Sequence, residues 1–129
     1  MTQQAIPEDI RRFVLTSIPS VPHLEALLLL RGAGEAWDNA VLAERLYIGE
    51  KAAALMEELC RAGMCAVEKS EANLPRYRYH PSSDFLRTTI DSLAEFYARH
   101  LVEITHLIHS RLDRKAQQFA DAFKWRKDS

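Results

Sequence analysis

Residues 38–64 read DNAVLAERLYIGEKAAALMEELCRAGM. Asp38 is a good N-cap, because its carboxylate accepts from the free amides of a first helical turn. Val41, Leu42, Ala43 and Leu46 follow at helical spacing, and Tyr47-Ile48-Gly49 interrupts them. A second helical series runs from about Glu50 to Arg61, with Ala52, Leu55, Met56 and Leu59 on one face and Gly63 ending it. Its other face carries Glu50, Lys51, Ala53, Ala54, Glu57, Glu58 and Arg61. The stretch predicts two helices joined by a tight turn, the second with one buried and one open side.

Upstream, Pro7 opens a first helix at no hydrogen-bond cost, with Glu8 and Asp9 favourable at its positive end. Ile10, Phe13, Val14 and Ile18 form its apolar face. Pro19 and Pro22 break the chain, and HLEALLLLR forms a second, largely buried helix stopped by Gly32 and Gly34. Downstream, CAVEKS, the turn EANLP and RYRYH predict a two-stranded hairpin. Tyr77 and Tyr79 share one face of its second strand, Arg76 and Arg78 the other.

All four glycines and all five prolines lie at or before Pro81. The chain therefore divides into a punctuated domain, residues 6–81, and a helical arm, residues 82–129. In the arm Leu86, Ile90, Leu93, Tyr97, Leu101, Ile104, Ile108 and Leu112 recur every three or four residues. Ala116, Phe119, Ala120 and Phe123 continue at similar spacing, with a break near Ser110 or Asp113 as one option and a continuous helix as the other. So long a stripe exceeds what a domain of this size covers, and the series from Leu86 to Leu112 is the expected homodimer interface.

Helix, helix, helix-turn-helix, hairpin is the order of a winged helix, so the expected fold is mainly α, a winged helix-turn-helix with a two-stranded wing and a long C-terminal arm. Leu42-Ala43-Glu44-Arg45-Leu46, the turn with Ile48, then Leu55, Leu59 and Arg61-Ala62-Gly63-Met64 resemble the winged-helix regulators of bacteria, such as the MarR, ArsR and PadR groups. RYRYHP at 76–81 and FADAFKWRKD at 119–128 look like a smaller set of proteobacterial winged-helix proteins. The resemblance implies a homodimeric transcriptional regulator on double-stranded DNA. It puts Glu50, Lys51, Ala53, Ala54 and Glu57 in the major groove and Lys69, Arg76 and Arg78 on phosphate.

Charge pulls the other way. The net charge is −1, so no whole-chain basic field draws nucleic acid. Residues 38–61 hold five acids against three bases, and carboxylates repel the phosphates flanking a groove. Residues 111–129 hold six bases against three acids, with KWRK at 124–127, and the ordinary role of such cations is to complement a helix C-terminus. The alternative is therefore a protein–protein interaction module whose acidic, alanine-rich helix meets a basic partner without binding DNA.

Other chemistry is sparse. His100, Glu103, His106 and His109 lie at metal-ligand spacing, but a site needs more converging ligands than one Glu-x-x-His pair, so no metal or cofactor is expected. Cys60 and Cys65 read as small buried hydrophobes more readily than as a redox pair. GAGEAW at 32–37 lacks the Lys-Ser/Thr of a phosphate loop, and no hydrolase or zincin motif occurs, so the chain is not expected to be an enzyme. With no signal-like N-terminus and no long apolar run, the expectation is a cytoplasmic protein without a membrane partner.

Overall fold

The computed structural model describes residues 6–69 and 74–128, with the backbone alone at 69, 112, 113, 115, 116, 119 and 121–128. The described residues form α1 (Glu8–Ser17), α2 (Val21–Ala33), β1 (Trp37–Asp38), α3 (Asn39–Leu46), α4 (Lys51–Arg61), β2 (Cys65–Lys69), β3 (Pro75–Tyr79), α5 (Asp84–Arg99) and α6 (Leu101–Asp128). The protein is mainly helical with a small antiparallel sheet.

Local chemistry accounts for most boundaries. Ser20 caps α2, its hydroxyl accepting from the His23 amide, and Gly34 closes that helix in the left-handed region at φ 68°. The helix passes through Gly32, so only the second of the two expected stops acts. Asp38 accepts from the Val41 amide at 3.0 Å and caps α3. Tyr47 then turns the chain at φ 56°, with its own amide and that of Ile48 on the Ala43 carbonyl. Gly63 ends the run after α4 at φ 80°.

The sheet has three strands, not two. β1 adds to the hairpin in the order β1-β3-β2, Trp37 opposite Tyr77 and Asp38 opposite Arg76. β2 and β3 pair as expected, with Val67 opposite Tyr77 and Glu68 opposite Arg76. Two residues are too few for an alternating pattern, which is why composition marked Trp37 and Asp38 only as a helix start.

One core joins every helix. Ile10, Val14 and Ile18 of the α1 region meet Leu24, Leu27 and Leu30 of α2, Leu42 of α3, and Leu55, Met56 and Leu59 of α4. Ile90, Leu93 and Tyr97 of α5 and Ile104, Leu107 and Ile108 of α6 belong to the same cluster. The arm thus contributes to the core of the preceding domain through α5 and the first half of α6.

The arm breaks at His100, not near Ser110. His100 leaves helical geometry at φ −133°, while its amide bonds the Phe96 carbonyl and its carbonyl accepts from Ile104. Its ring stacks on Phe96 at 4.4 Å and its Nδ1 lies 2.6 Å from Glu103 Oε2. The break lets α6 turn back along α1, where Arg111 donates to the Leu15 carbonyl at 3.1 Å and to the Pro19 carbonyl. A cation thereby serves the carbonyl end of α1, where orphan acceptors need donors.

Candidate functional site

The open face of α4 is where the sequence puts it. Lys51, Ala53, Ala54, Glu57, Glu58 and Arg61 are exposed on the helix, and exposed Glu50 precedes it without making a capping bond. Buried Ala52, Leu55, Met56 and Leu59 hold the opposite face to the core. Tyr47, 94 % exposed, stands in the turn beside this surface.

The cations meant to flank it are partly engaged within the chain. Arg78 Nε lies 3.2 Å from Glu68 Oε1 across the hairpin. The Arg45 guanidinium sits 5.5 Å from the centre of the Trp37 ring. Arg111 is taken up at the end of α1. Arg76 is exposed and has no ion pair among the described residues. The side chains of Lys69 and of KWRK at 124–127 lie outside the described residues.

The expected dimer stripe is mostly used by the chain itself. Ile90, Leu93, Tyr97, Ile104 and Ile108 are buried in the core, and Leu86 packs against it. Leu101 is 53 % exposed because the kink at His100 rotates it off the stripe, and Leu107 replaces it inside. The side chain of Leu112 lies outside the described residues. Ile90, Leu93, Tyr97, Ile104 and Ile108 are therefore corrected from an interface to the core, since a buried side chain is not available to a second copy, whereas Leu101 stays exposed.

Among the candidate ligands, His100 and Glu103 pair with each other while His106 and His109 point to solvent. Among the described residues no three His, Cys, Asp or Glu side chains converge in a way that would hold a metal ion. Both thiols are free. Burial pushes Cys65 up to about 12, helped by neighbouring Cys60, and burial followed by Glu57 raises Cys60. Both stay protonated and poorly nucleophilic at neutral pH.

Two features escaped the sequence reading. His23, buried at the start of α2, has Nδ1 at 2.6 Å from Ser20 Oγ and Nε2 at 3.1 Å from Glu58 Oε2. With Glu58, Arg61, Thr16 and Pro19 it lines an open cleft of about 450 Å³ between the ends of α1 and α4. A second cleft of about 270 Å³ lies between the end of α2 and the end of β3, lined by Arg31, Arg78, Tyr79 and His80 among others. Each brings together residues 35 or more positions apart, as with His23 and Glu58, and no local spacing announces them.

Comparison of the chain with protein-family models, with curated proteins and with solved structures finds no match. Among the described residues no single helix is long and apolar enough to cross a membrane.

Proposed function

We propose that the chain is a winged-helix regulator that docks on double-stranded DNA as a homodimer, with α4 as the groove element and the β2–β3 hairpin as the wing. The observation that carries this reading is the free outer face of α4 beside a hairpin whose outer face presents Arg76 and Arg78. Eleven residues of α4 span about 16 Å, enough to cross a major groove. Lys51 and Arg61 stand at its two ends, where flanking phosphates lie, with Ala53 and Ala54 between them allowing close approach.

The second copy is reached through the distal half of α6. Ala116, Phe119, Ala120 and Phe123 recur there at helical spacing, and the helix runs 17 residues beyond Arg111, about 25 Å. Exposed Phe85, Leu101 and Val102 are further apolar positions outside the core.

A second reading is favoured by charge. Glu50, Glu57 and Glu44 are exposed around α4, and Glu68 already neutralises Arg78. That balance suits a basic protein segment better than a polyanion, because each absent phosphate contact removes about 0.9 from the log–log salt slope of DNA binding.

Fluorescent duplexes from the flanking genomic region and from a random pool separate the two. Sequence-selective binding that weakens steeply with salt, and loses part of its slope in Arg76→Ala, supports the regulator. Absence of binding at low salt, or Glu57→Lys creating an affinity that the native protein lacks, supports the protein-docking module.

A further inference from the structure

The larger cleft borders a line of three hydrogen-bonded side chains. Ser20 Oγ lies 2.6 Å from His23 Nδ1, and His23 Nε2 lies 3.1 Å from Glu58 Oε2. The imidazole is only 9 % exposed, Ser20 is half-buried and Glu58 is exposed. His23 and Glu58 line the cleft together with Pro19, the residue before the serine.

The carboxylate sets the direction of the line. It can only accept, so Nε2 carries the hydrogen, and in the neutral ring Nδ1 is then an acceptor. The Ser20 hydroxyl therefore donates to Nδ1. An alcohol on a base, with the base held in one tautomer by an acid, is the arrangement of an activated nucleophile. Here the serine takes Nδ1 and the acid Nε2, the reverse of the serine-protease order. A neutral imidazole offers one donor and one acceptor in either tautomer, so the chemistry is the same.

Helix capping does not account for the whole line. As N-cap of α2, Ser20 accepts from the His23 amide at 3.4 Å, a long contact. The much shorter contact is to the ring, and Glu58, 35 positions further on, serves the ring and not the cap. The cap also supplies what a developing oxyanion needs. α2 runs 13 residues from Val21, so its positive end lies beside Ser20. Pro22 has no N–H and the His23 amide faces Ser20 Oγ, which leaves the Val21 amide without an acceptor in its own helix.

We propose that Ser20, His23 and Glu58 hydrolyse a small carboxylic ester bound in this cleft, whose volume of about 450 Å³ suits a small ligand. Ser20 Oγ attacks the ester carbonyl carbon as its proton passes to His23 Nδ1. The carbonyl electron pair returns, the bond to the leaving oxygen breaks, and the alcohol departs with the proton from Nδ1. Water then gives a proton to Nδ1 and attacks the acyl carbon, and the Ser20 oxygen leaves and regains that proton. The sum is ester plus water to acid plus alcohol. Glu58 is a positioning residue that holds the ring. None of this depends on the DNA reading above.

The test is incubation of the full-length protein with p-nitrophenyl acetate and, separately, with a fluorophosphonate, followed by peptide mass spectrometry to locate the modified residue. Release of p-nitrophenolate faster than by an equal concentration of free imidazole, and modification at Ser20, are expected. Ser20→Asn keeps a good N-cap and removes the nucleophile, so it should abolish both with circular dichroism unchanged. Glu58→Gln should slow release by about tenfold or more at a nearly unchanged melting temperature, which a merely structural carboxylate would not do. No modification of the native protein, modification at Thr16 or Ser17 instead, or undiminished turnover in Ser20→Asn overturns the proposal. The modified residue is read on the native protein, so the result stands even if a variant fails to fold.

Discussion

Glu58 Oε2 lies 3.1 Å from His23 Nε2, which ties the exposed face of α4 to the buried start of α2. Ser20 completes the line at 2.6 Å from His23 Nδ1, so both ring nitrogens of a buried imidazole are satisfied. The carboxylate that reads in the sequence as one more surface acid is thus a structural partner.

Glu58→Ala leaves His23 Nε2 without its partner and should destabilise the fold by about 1–2 kcal/mol in urea unfolding, whereas Glu58→Gln keeps an acceptor and should cost less than half as much. Equal losses in the two variants would mean that the hydrogen bond contributes nothing.

Gly63 is required twice over. Its φ of 80° disfavours any side chain, and an added Cβ would lie 2.7 Å from Ser82 Oγ. Gly63→Ala should cost about 2–3 kcal/mol, and adding Ser82→Ala should recover only the contact part, leaving roughly 1 kcal/mol of backbone strain. Thermal denaturation of the single and double variants measures the split; complete recovery would refute the strain component.

Tyr47 holds the same left-handed region at φ 56° while almost fully exposed. Tyr47→Gly should therefore stabilise the protein by up to about 1 kcal/mol, since no packing is lost and the steric cost disappears. A lower melting temperature in this variant would show that the ring contributes to the fold.

Arg111 joins α6 to the end of α1 through the Leu15 and Pro19 carbonyls. Arg111→Gln should cost about 1.5–3 kcal/mol and speed amide exchange across the first half of α6. If Arg111 served only as a surface cation, exchange there would be unchanged and only the salt dependence of binding would move.

Alkaline pH should loosen the fold. Burial, and then the Glu25 carboxylate that accepts from the Tyr97 hydroxyl at 2.5 Å, raise Tyr97 to about 12, and burial raises Cys65 to about 12. Both groups keep their protons longer when folded than when unfolded, so their contribution is fully present below pH about 9 and is lost as pH rises toward 12. Melting temperature should fall across that window, and Tyr97→Phe should flatten the fall while lowering stability by about 1 kcal/mol at neutral pH.

Where chemistry is local, the sequence by itself determined the structure. Pro7, Asp38, Gly34 and Gly63 set helix ends through their own backbone or side-chain geometry, and the three-and-four spacing of Ala52, Leu55, Met56 and Leu59 predetermined which face of α4 is open. Tertiary structure alone decided what each apolar face meets. The series from Leu86 to Ile108 has the same spacing whether it packs on a partner or on the chain's own core, and that spacing gives no sign of the kink at His100, which no Gly or Pro marks and from which α6 runs back along α1. It also decided which charges remain for a partner, because the pairings of Glu58 with His23, Glu68 with Arg78 and Asp91 with Arg31 form only when distant elements or strands meet. Periodicity records how a segment divides into faces; the identity of the facing surface is a property of the whole chain.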